Sequence, residues 1–380
     1  MQLVMLTKTL QTMVGKVAKG AGNNKLLPIT SMLSIRVSDK ILSLTTTDMN
    51  NYVTIKETGI NCEDFSTVIM IDTFSKIVAK TTSETMTIEI TDSSLKLIGN
   101  GTYNIPLCTD EEGNLVNFPS YSFPEQFNEE TVKYITIKNI IDTNGSCIAG
   151  DMTTPCLTGY YFGSNTITTD SAAICITKSK VFNESMLIST RVMDLFTLLG
   201  TNDITVRVAN DKIMFITKDI IIGATLMTEI DDYPAEAIES YLTAEFGSKI
   251  KVDKISLLGV LERMSIFTDN IYDNNTVTLT FSNKGLILNN KDNTATEVIK
   301  FVGNETDVTN YTCDINIETL KSMSTSCKGD NITIYYAHSD NNCIKLEDDN
   351  VVKIIALDDE NIDEEDEEEV SEDLTIEDLV

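Results

Sequence analysis

Leu42-Ser43-Leu44-Thr45-Thr46-Thr47-Asp48 is an alternating apolar strand pattern that ends in three threonines and an aspartate. It recurs as Thr166-Ile167-Thr168-Thr169-Asp170 and, more weakly, as Asn289-Asn290-Lys291-Asp292. Asp48 and Asp170 are 122 residues apart, and so are Asp170 and Asp292. Each aspartate follows an apolar strand pattern and precedes another alternating one. A second series agrees: strand patterns at 86–90, 204–208 and 332–336 each follow a short helical pattern. Self-similarity at a fixed period marks a repeated structural unit. The expected organisation is three copies of one unit, at 1–128, 129–247 and 248–357, followed by a segment at 358–380.

Working outward, the texture is short β pattern rich in β-branched residues and bounded by Asn, Asp, Gly and Ser turns. Ile35-Arg36-Val37, Met86-Thr87-Ile88-Glu89-Ile90, Ile204-Thr205-Val206-Arg207-Val208 and Val277-Thr278-Leu279-Thr280-Phe281 are examples. Asn210-Asp211-Lys212 and Ser282-Asn283-Lys284-Gly285 read as hairpin connections. Helices are predicted over 7–19, 72–80, 138–149, 190–199, 253–265 and 316–327, each with apolar residues at spacings of three and four. Two helices per repeat on antiparallel sheets make an α+β fold.

The 380 residues are 42% hydrophobic and 23% charged, an ordinary globular balance. No stretch is long and apolar enough for a membrane helix, and the N-terminus lacks the pattern of a signal peptide, so a cytoplasmic chain is expected. The cysteines form no CxxC pair and there is a single histidine, so no metal site and no cofactor are expected. Net charge is −29, but residues 358–380 carry fourteen acids and no bases, which leaves −15 for the rest. That tail is expected to be disordered. A body at −15 argues against tight nonspecific binding of nucleic acid through a broad basic face. Any DNA function must rest on local charge placement or on topology.

The ordered motifs carry a family resemblance over residues 1 to about 357. Leu27-Pro28-Ile29-Thr30-Ser31-Met32-Leu33, the Leu42–Asp48 strand, Thr166–Asp170 and Tyr233-Pro234 together resemble the bacterial-type DNA sliding clamp, the β subunit of the replicative DNA polymerase. Departures, such as Ser171-Ala172-Ala173-Ile174 after Asp170 and Ile354-Ile355-Ala356-Leu357 near the end, point to a divergent member, such as one encoded by a bacterial virus. The resemblance implies three clamp domains per chain, head-to-tail dimerisation into a ring around duplex DNA, and no catalysis. It implies as partners DNA held topologically, a DNA polymerase, a clamp loader and a second copy.

It also implies site residues. DNA-facing residues would be Lys8, Lys16, Lys19, Lys25, Lys76, Lys80, Lys138, Arg191, Lys254, Arg263, Lys321 and Lys328. Eleven of the 29 basic residues, all of these but Lys25, lie on or beside the predicted helices, an enrichment that a plain solvated face does not require. A groove for partner peptides would use Leu157, Thr169, Ser171, Ile174, Pro234, Ile238, Ile344, Ile354 and Ala356, although each residue alone also fits an ordinary core. Tyr103 and Ile105 would face Ile266 and Phe267 across the dimer interface. The tail end, Asp373–Val380, is a candidate ligand for that groove, against the plainer reading of a solvating segment.

Two rivals stand against this reading. An enzyme would need a nucleophile elbow, a phosphate loop or a histidine-centred site, and the only histidine, His338, sits in turn-like sequence. A β-rich structural or virion protein would share the strands but would not need lysines gathered on repeated helices.

Overall fold

A computed structural model of the chain describes residues 1–150, 152–200, 203–268, 275–303, 308–338 and 342–358. Its elements come in three runs of the same order. The first is β1 (Gln2–Leu6), α1 (Thr7–Val17), β2 (Met32–Ser38), β3 (Ile41–Thr47), β4 (Asn51–Thr58), β5 (Phe65–Met70), α2 (Ile71–Lys80), β6 (Thr85–Ile90), β7 (Ser94–Ile98) and β8 (Thr102–Pro106). The second is β9 (Asn128–Lys133), α3 (Tyr134–Asn144), β10 (Gly159–Phe162), β11 (Thr166–Thr169), β12 (Ala173–Thr177), β13 (Met186–Ser189), α4 (Thr190–Phe196), β14 (Asp203–Ala209), β15 (Lys212–Ile216) and β16 (Ile220–Thr225). A short helix, α5 (Ala235–Glu239), precedes the third run. That run is β17 (Phe246–Asp253), α6 (Lys254–Thr268), β18 (Thr276–Ser282), β19 (Gly285–Asn290), β20 (Thr296–Ile299), β21 (Tyr311–Asn316), α7 (Ile317–Thr325), β22 (Asn331–His338), β23 (Cys343–Asp348) and β24 (Val351–Ala356).

The chain packs as two compact units. The first holds Met1–Thr168 and Ser179–Tyr233, the second Thr169–Lys178 and Pro234–Val380. In the first unit a sheet of order β5-β2-β3-β4-β16-β15-β14-β9 joins strands of the first two runs. Its seam is the β4–β16 ladder, where Tyr52 faces Gly223 and Asn51 faces Ala224. The four-stranded sheet β1-β6-β7-β8 and the strands β13-β10-β11 complete the β structure of this unit. Alternation places Leu33, Ile35, Val37, Leu42 and Leu44 on one buried face, and the stripe Leu10, Met13, Val14 and Val17 of α1 joins the same core. Helix α1 lies against α2. Gln11 donates its amide protons to the carbonyls of Val78 (3.0 Å) and Thr81 (2.9 Å) at the end of α2, satisfying groups that a helix terminus leaves open. Tyr134 of α3 stacks on Phe196 of α4 at 5.6 Å.

In the second unit the order β12-β24-β23-β22-β17 forms one sheet and β20-β19-β18-β21 another. Helices α6 and α7 pack together over Leu257, Leu261, Met264, Leu320 and Met323. Phe281 and Tyr336 stack at 4.0 Å in this core. The seam β12–β24 pairs Ala173 with Ile355 and Ile174 with Ile354.

The repeated Thr-Thr-Asp pattern has a local physical cause. Asp48 Oδ1 accepts from the amides of Asn50 (3.1 Å) and Asn51 (2.7 Å), and Asp170 Oδ1 accepts from Ala172 (3.0 Å) and Ala173 (2.7 Å). Between them Met49 and Ser171 are held at φ 83° and 80°. Thr46 and Thr168 donate to the last carbonyls of α1 and α3, at Val17 (2.6 Å) and Asn144 (3.0 Å). One aspartate makes the turn and one threonine pins the preceding helix. In the third run Asn290 takes the turn role, accepting from the Ala295 amide at 3.0 Å.

All six predicted helices are present. Helix α3 starts at Tyr134 rather than 138 because Tyr134 supplies an aromatic contact to α4, while Tyr134-Ile135-Thr136-Ile137 alternates like a strand in sequence. Helix α5 was missed, being too short to show a helical period.

Candidate functional site

The basic side chains predicted on the helices divide into two groups. Lys8 and Lys16 lie on α1 away from its buried stripe, Lys19 follows in the next turn, and α1 has no acidic residue in its sequence Thr7–Val17. No ion pair holds Lys8, Lys16, Lys19, Lys25, Lys80 or Lys328 among the described residues. The others are engaged. Lys76 pairs with Asp72 at 2.7 Å, Lys138 with Asp142, and Lys321 with Glu318 at 4.0 Å. Lys254 donates to the carbonyls of Thr325 (3.1 Å) and Cys327 beyond α7. Arg263 grips Glu297 of β20 through two bonds of 2.6 Å, which hold the Glu297 carboxyl below its ordinary pKa.

Arg191 has work inside the first unit. From the start of α4 it donates to the Lys19 carbonyl at 2.6 Å and meets Asp48 at 3.4 Å. It thereby ties the second run of elements to the Asp48 turn of the first.

Of the groove residues, Leu157 belongs to the first unit, buried in a 3-10 turn. The others belong to the second unit. Register divides them by face, since cross-strand partners project to the same side. Ile174, Ile354 and Lys345 form one row; Ala173, Ile355 and Ile344 form another, on the opposite side. Lys353 shares the side of Ile355 and donates to the Met323 carbonyl of α7 at 2.6 Å, so that side is the helix-covered core. Ile344 therefore lies in the core, while Ile174, Ile354 and Ala356 lie on the outer face. Pro234 is exposed and Ile238 of α5 is buried. The following segment reaches this outer face too: burial, with the Cys343 thiol nearby, pushes the Tyr241 phenol up. Thr169 is buried, donating to the Ala173 carbonyl at 2.7 Å, and Ser171 is exposed at the turn.

Sequence reading missed the polar cluster beside this row. The Lys345 ammonium lies 4.4 Å from the Tyr335 ring centre and 4.8 Å from that of Phe246. Burial lowers its pKa. Lys178 pairs with Glu347 at 2.9 Å. Bonds from Lys178 and Tyr335 outweigh burial and keep the Glu347 carboxyl below its ordinary range.

Among the described residues, β8 and β20 each end a four-stranded sheet. β8 is the last strand of β1-β6-β7-β8, with Thr102, Tyr103 and Asn104 exposed and Ile105 turned into the core. β20 is the last strand of β20-β19-β18-β21, with Val298 exposed. Ile266 and Phe267 are 75% and 49% exposed on α6, the helix that Arg263 fastens to β20. Among the described residues no cluster of His, Cys, Asp or Glu is placed to hold a metal ion, and no helix is long and apolar enough to cross a membrane.

This architecture has the fold of solved DNA sliding clamps. Residues 1–122 match the model of the DNA polymerase III beta subunit, N-terminal domain. Over the whole chain the fold is similar to the DNA polymerase sliding clamp of Bacillus subtilis, at TM-score 0.83 and 18% identity, covering 95% of this chain and 100% of that one. The DNA polymerase III subunit beta of Borrelia burgdorferi, in complex with a natural product, is similar at TM-score 0.81 and 19% identity, with 94% and 99% covered. The beta subunit from Thermotoga maritima matches at 0.80 and 14%, with 95% and 100% covered. No curated protein sequence matches the chain. At these identities the chain is a divergent form of the fold.

Proposed function

We propose that the chain is a processivity clamp: two copies close head to tail around duplex DNA, slide on it, and tether a polymerase and other replication proteins. The family-model and structural matches support this function, and they give no support to a structural or virion protein. The observation that carries the ring is the repeated seam. β4 pairs with β16, and β12, which holds the place of β4 in the next run, pairs with β24, which holds the place of β16. The same rule assigns β20 a partner in the place of β8, and among the described residues both are terminal strands of their sheets. A second copy supplies that partner twice over, which closes a heterologous contact instead of propagating it. Ile266, Phe267, Tyr103 and the edge at Ile105 then lie at the interface. Six repeats would surround the hole, with domains at 1–128, 129–247 and 248–357 of each chain. The tail 358–380, outside the described residues beyond Asp358, extends from the third.

Contact with DNA is electrostatic and sequence-blind, through the lysines of α1 and its relatives, while the outer surface stays acidic. The clamp is non-catalytic and cytoplasmic, and the groove at Ile174, Ile354 and Ala356 receives extended peptides with apolar anchors. The test is retention on DNA after loading with a compatible clamp loader. Protein on a closed circle should stay bound through a high-salt wash and leave when the circle is cut. Changing Lys8, Lys16 and Lys19 to glutamate should lower retention on the uncut circle without changing oligomer mass. Release that ignores linearisation would sink the topological reading, and unchanged retention in the triple variant would sink the role of α1.

A further inference from the structure

The segment between β8 and β9 crosses the outer face of the first unit and places an aromatic ring in a slot made for it. The slot lies over the β4–β16 seam, where Gly223 faces Tyr52. A Cβ on Gly223 would stand 2.4 Å from the ring of Tyr121, so the strand keeps a glycine where the ring descends. The Tyr121 hydroxyl donates to the Ala224 carbonyl at 2.7 Å, with the Ile213 carbonyl at 3.1 Å. Tyr52 flanks the ring at 5.2 Å, and the Lys212 ammonium lies 5.5 Å from its centre and donates to the Ser122 carbonyl at 2.6 Å. Burial pushes the phenol pKa far up. Phe123 continues the run 6.1 Å from Tyr121.

The position of this slot in the repeat gives it meaning. Tyr52 is the fourth residue after Asp48 and Ile174 the fourth after Asp170, each on the strand that follows the same turn. Across the two seams Tyr52 pairs with Gly223, and Ile174 pairs with Ile354. The Tyr121 slot is thus the counterpart, one repeat earlier, of the outer-face row at Ile174 and Ile354. The two connections differ: the later one forms α5, the earlier one forms no helix and inserts Tyr121.

We propose that the Tyr52–Gly223 slot is a latent second peptide site and that the Tyr121 segment is its resident ligand, so that the chain offers one partner groove instead of two. The inference rests on reading Ile174 and Ile354 as the partner groove. The slot suits an extended segment with a tyrosine and a second aromatic residue two positions on.

The probe is a fluorescent synthetic peptide of residues Pro119–Phe127, titrated by anisotropy and counted per chain by equilibrium dialysis. Tyr121→Ala should bind one more peptide per chain than the parent protein, with affinity at the new site at least tenfold above any background. A peptide carrying alanine at its tyrosine should give no extra binding. Gly223→Ala should also give none, because its methyl both expels Tyr121 and fills the slot. A cooperatively melting Tyr121→Ala protein that takes up no extra peptide would overturn the proposal, as would equal uptake by Gly223→Ala. Should Tyr121→Ala fail to fold, Tyr121→Phe carries the test. It keeps the ring and loses the hydroxyl bond, and should admit the peptide more weakly; no uptake would overturn the proposal. Ile354→Arg separates the two readings, since loss of background binding there reports on the partner groove and leaves the extra site unaffected.

Discussion

Lys353 is 1% exposed, yet its ammonium finds the Met323 carbonyl and the Ser326 hydroxyl instead of a carboxylate. Truncation to alanine would take the ammonium from both oxygens and leave a cavity, so Lys353→Ala should cost about 3 kcal/mol in chemical denaturation. Lys353→Met, which keeps the stem but also loses the hydrogen bonds, should cost clearly less; equal losses would mean that the packing of the stem contributes nothing. Glu347 gives a pH signature. Its folded pKa is depressed, so its contribution is present above the unfolded carboxyl pKa and is lost as pH falls through the folded value. Stability should therefore fall below about pH 4.5, and Lys178→Met should make that fall shallower. A parallel fall in both proteins, followed by denaturant midpoint against pH, would contradict the assignment. At this scale the sequence was legible where a residue's partners are local. The Thr-Thr-Asp turns could be read because each aspartate bonds amides two and three positions on. Arg191 and Tyr121 could not be read as structural ties, because their partners Asp48 and Ala224 stand 143 and 103 positions away.

Among elements, α1 does two jobs with two faces. Its buried stripe anchors the core, and its other side presents Lys8 and Lys16 without an acidic neighbour on the helix. Gln11 belongs to neither face; it holds the carbonyl end of α2. Replacing it with alanine leaves the Val78 and Thr81 carbonyls without their side-chain donor. Gln11→Ala should cost roughly 1–2 kcal/mol and speed hydrogen exchange at the end of α2 before the rest of the unit. Uniform exchange across α2 would show that the amide does not act as a local clasp. The six longer helices were legible from apolar spacing. The proposed groove was legible only in part: Ile344 and Ile354 both read as apolar strand residues, and only the β23–β24 register sends them to opposite faces.

At the scale of the molecule, the threefold spacing of the turn motif foretold three runs of elements in one order. The merging of runs into shared sheets was not legible, because strand pairing between repeats leaves no mark on either strand alone. Those seams lead to the central claim, since the same pairing rule makes β8 and β20 the edges that a second copy closes in the proposed ring. The direct measurement is a set of electron-microscopy class averages of the purified protein across a range of concentrations. The account predicts closed rings of two chains, with six lobes around a hole wide enough for duplex DNA. Compact particles or open filaments at every concentration would contradict it.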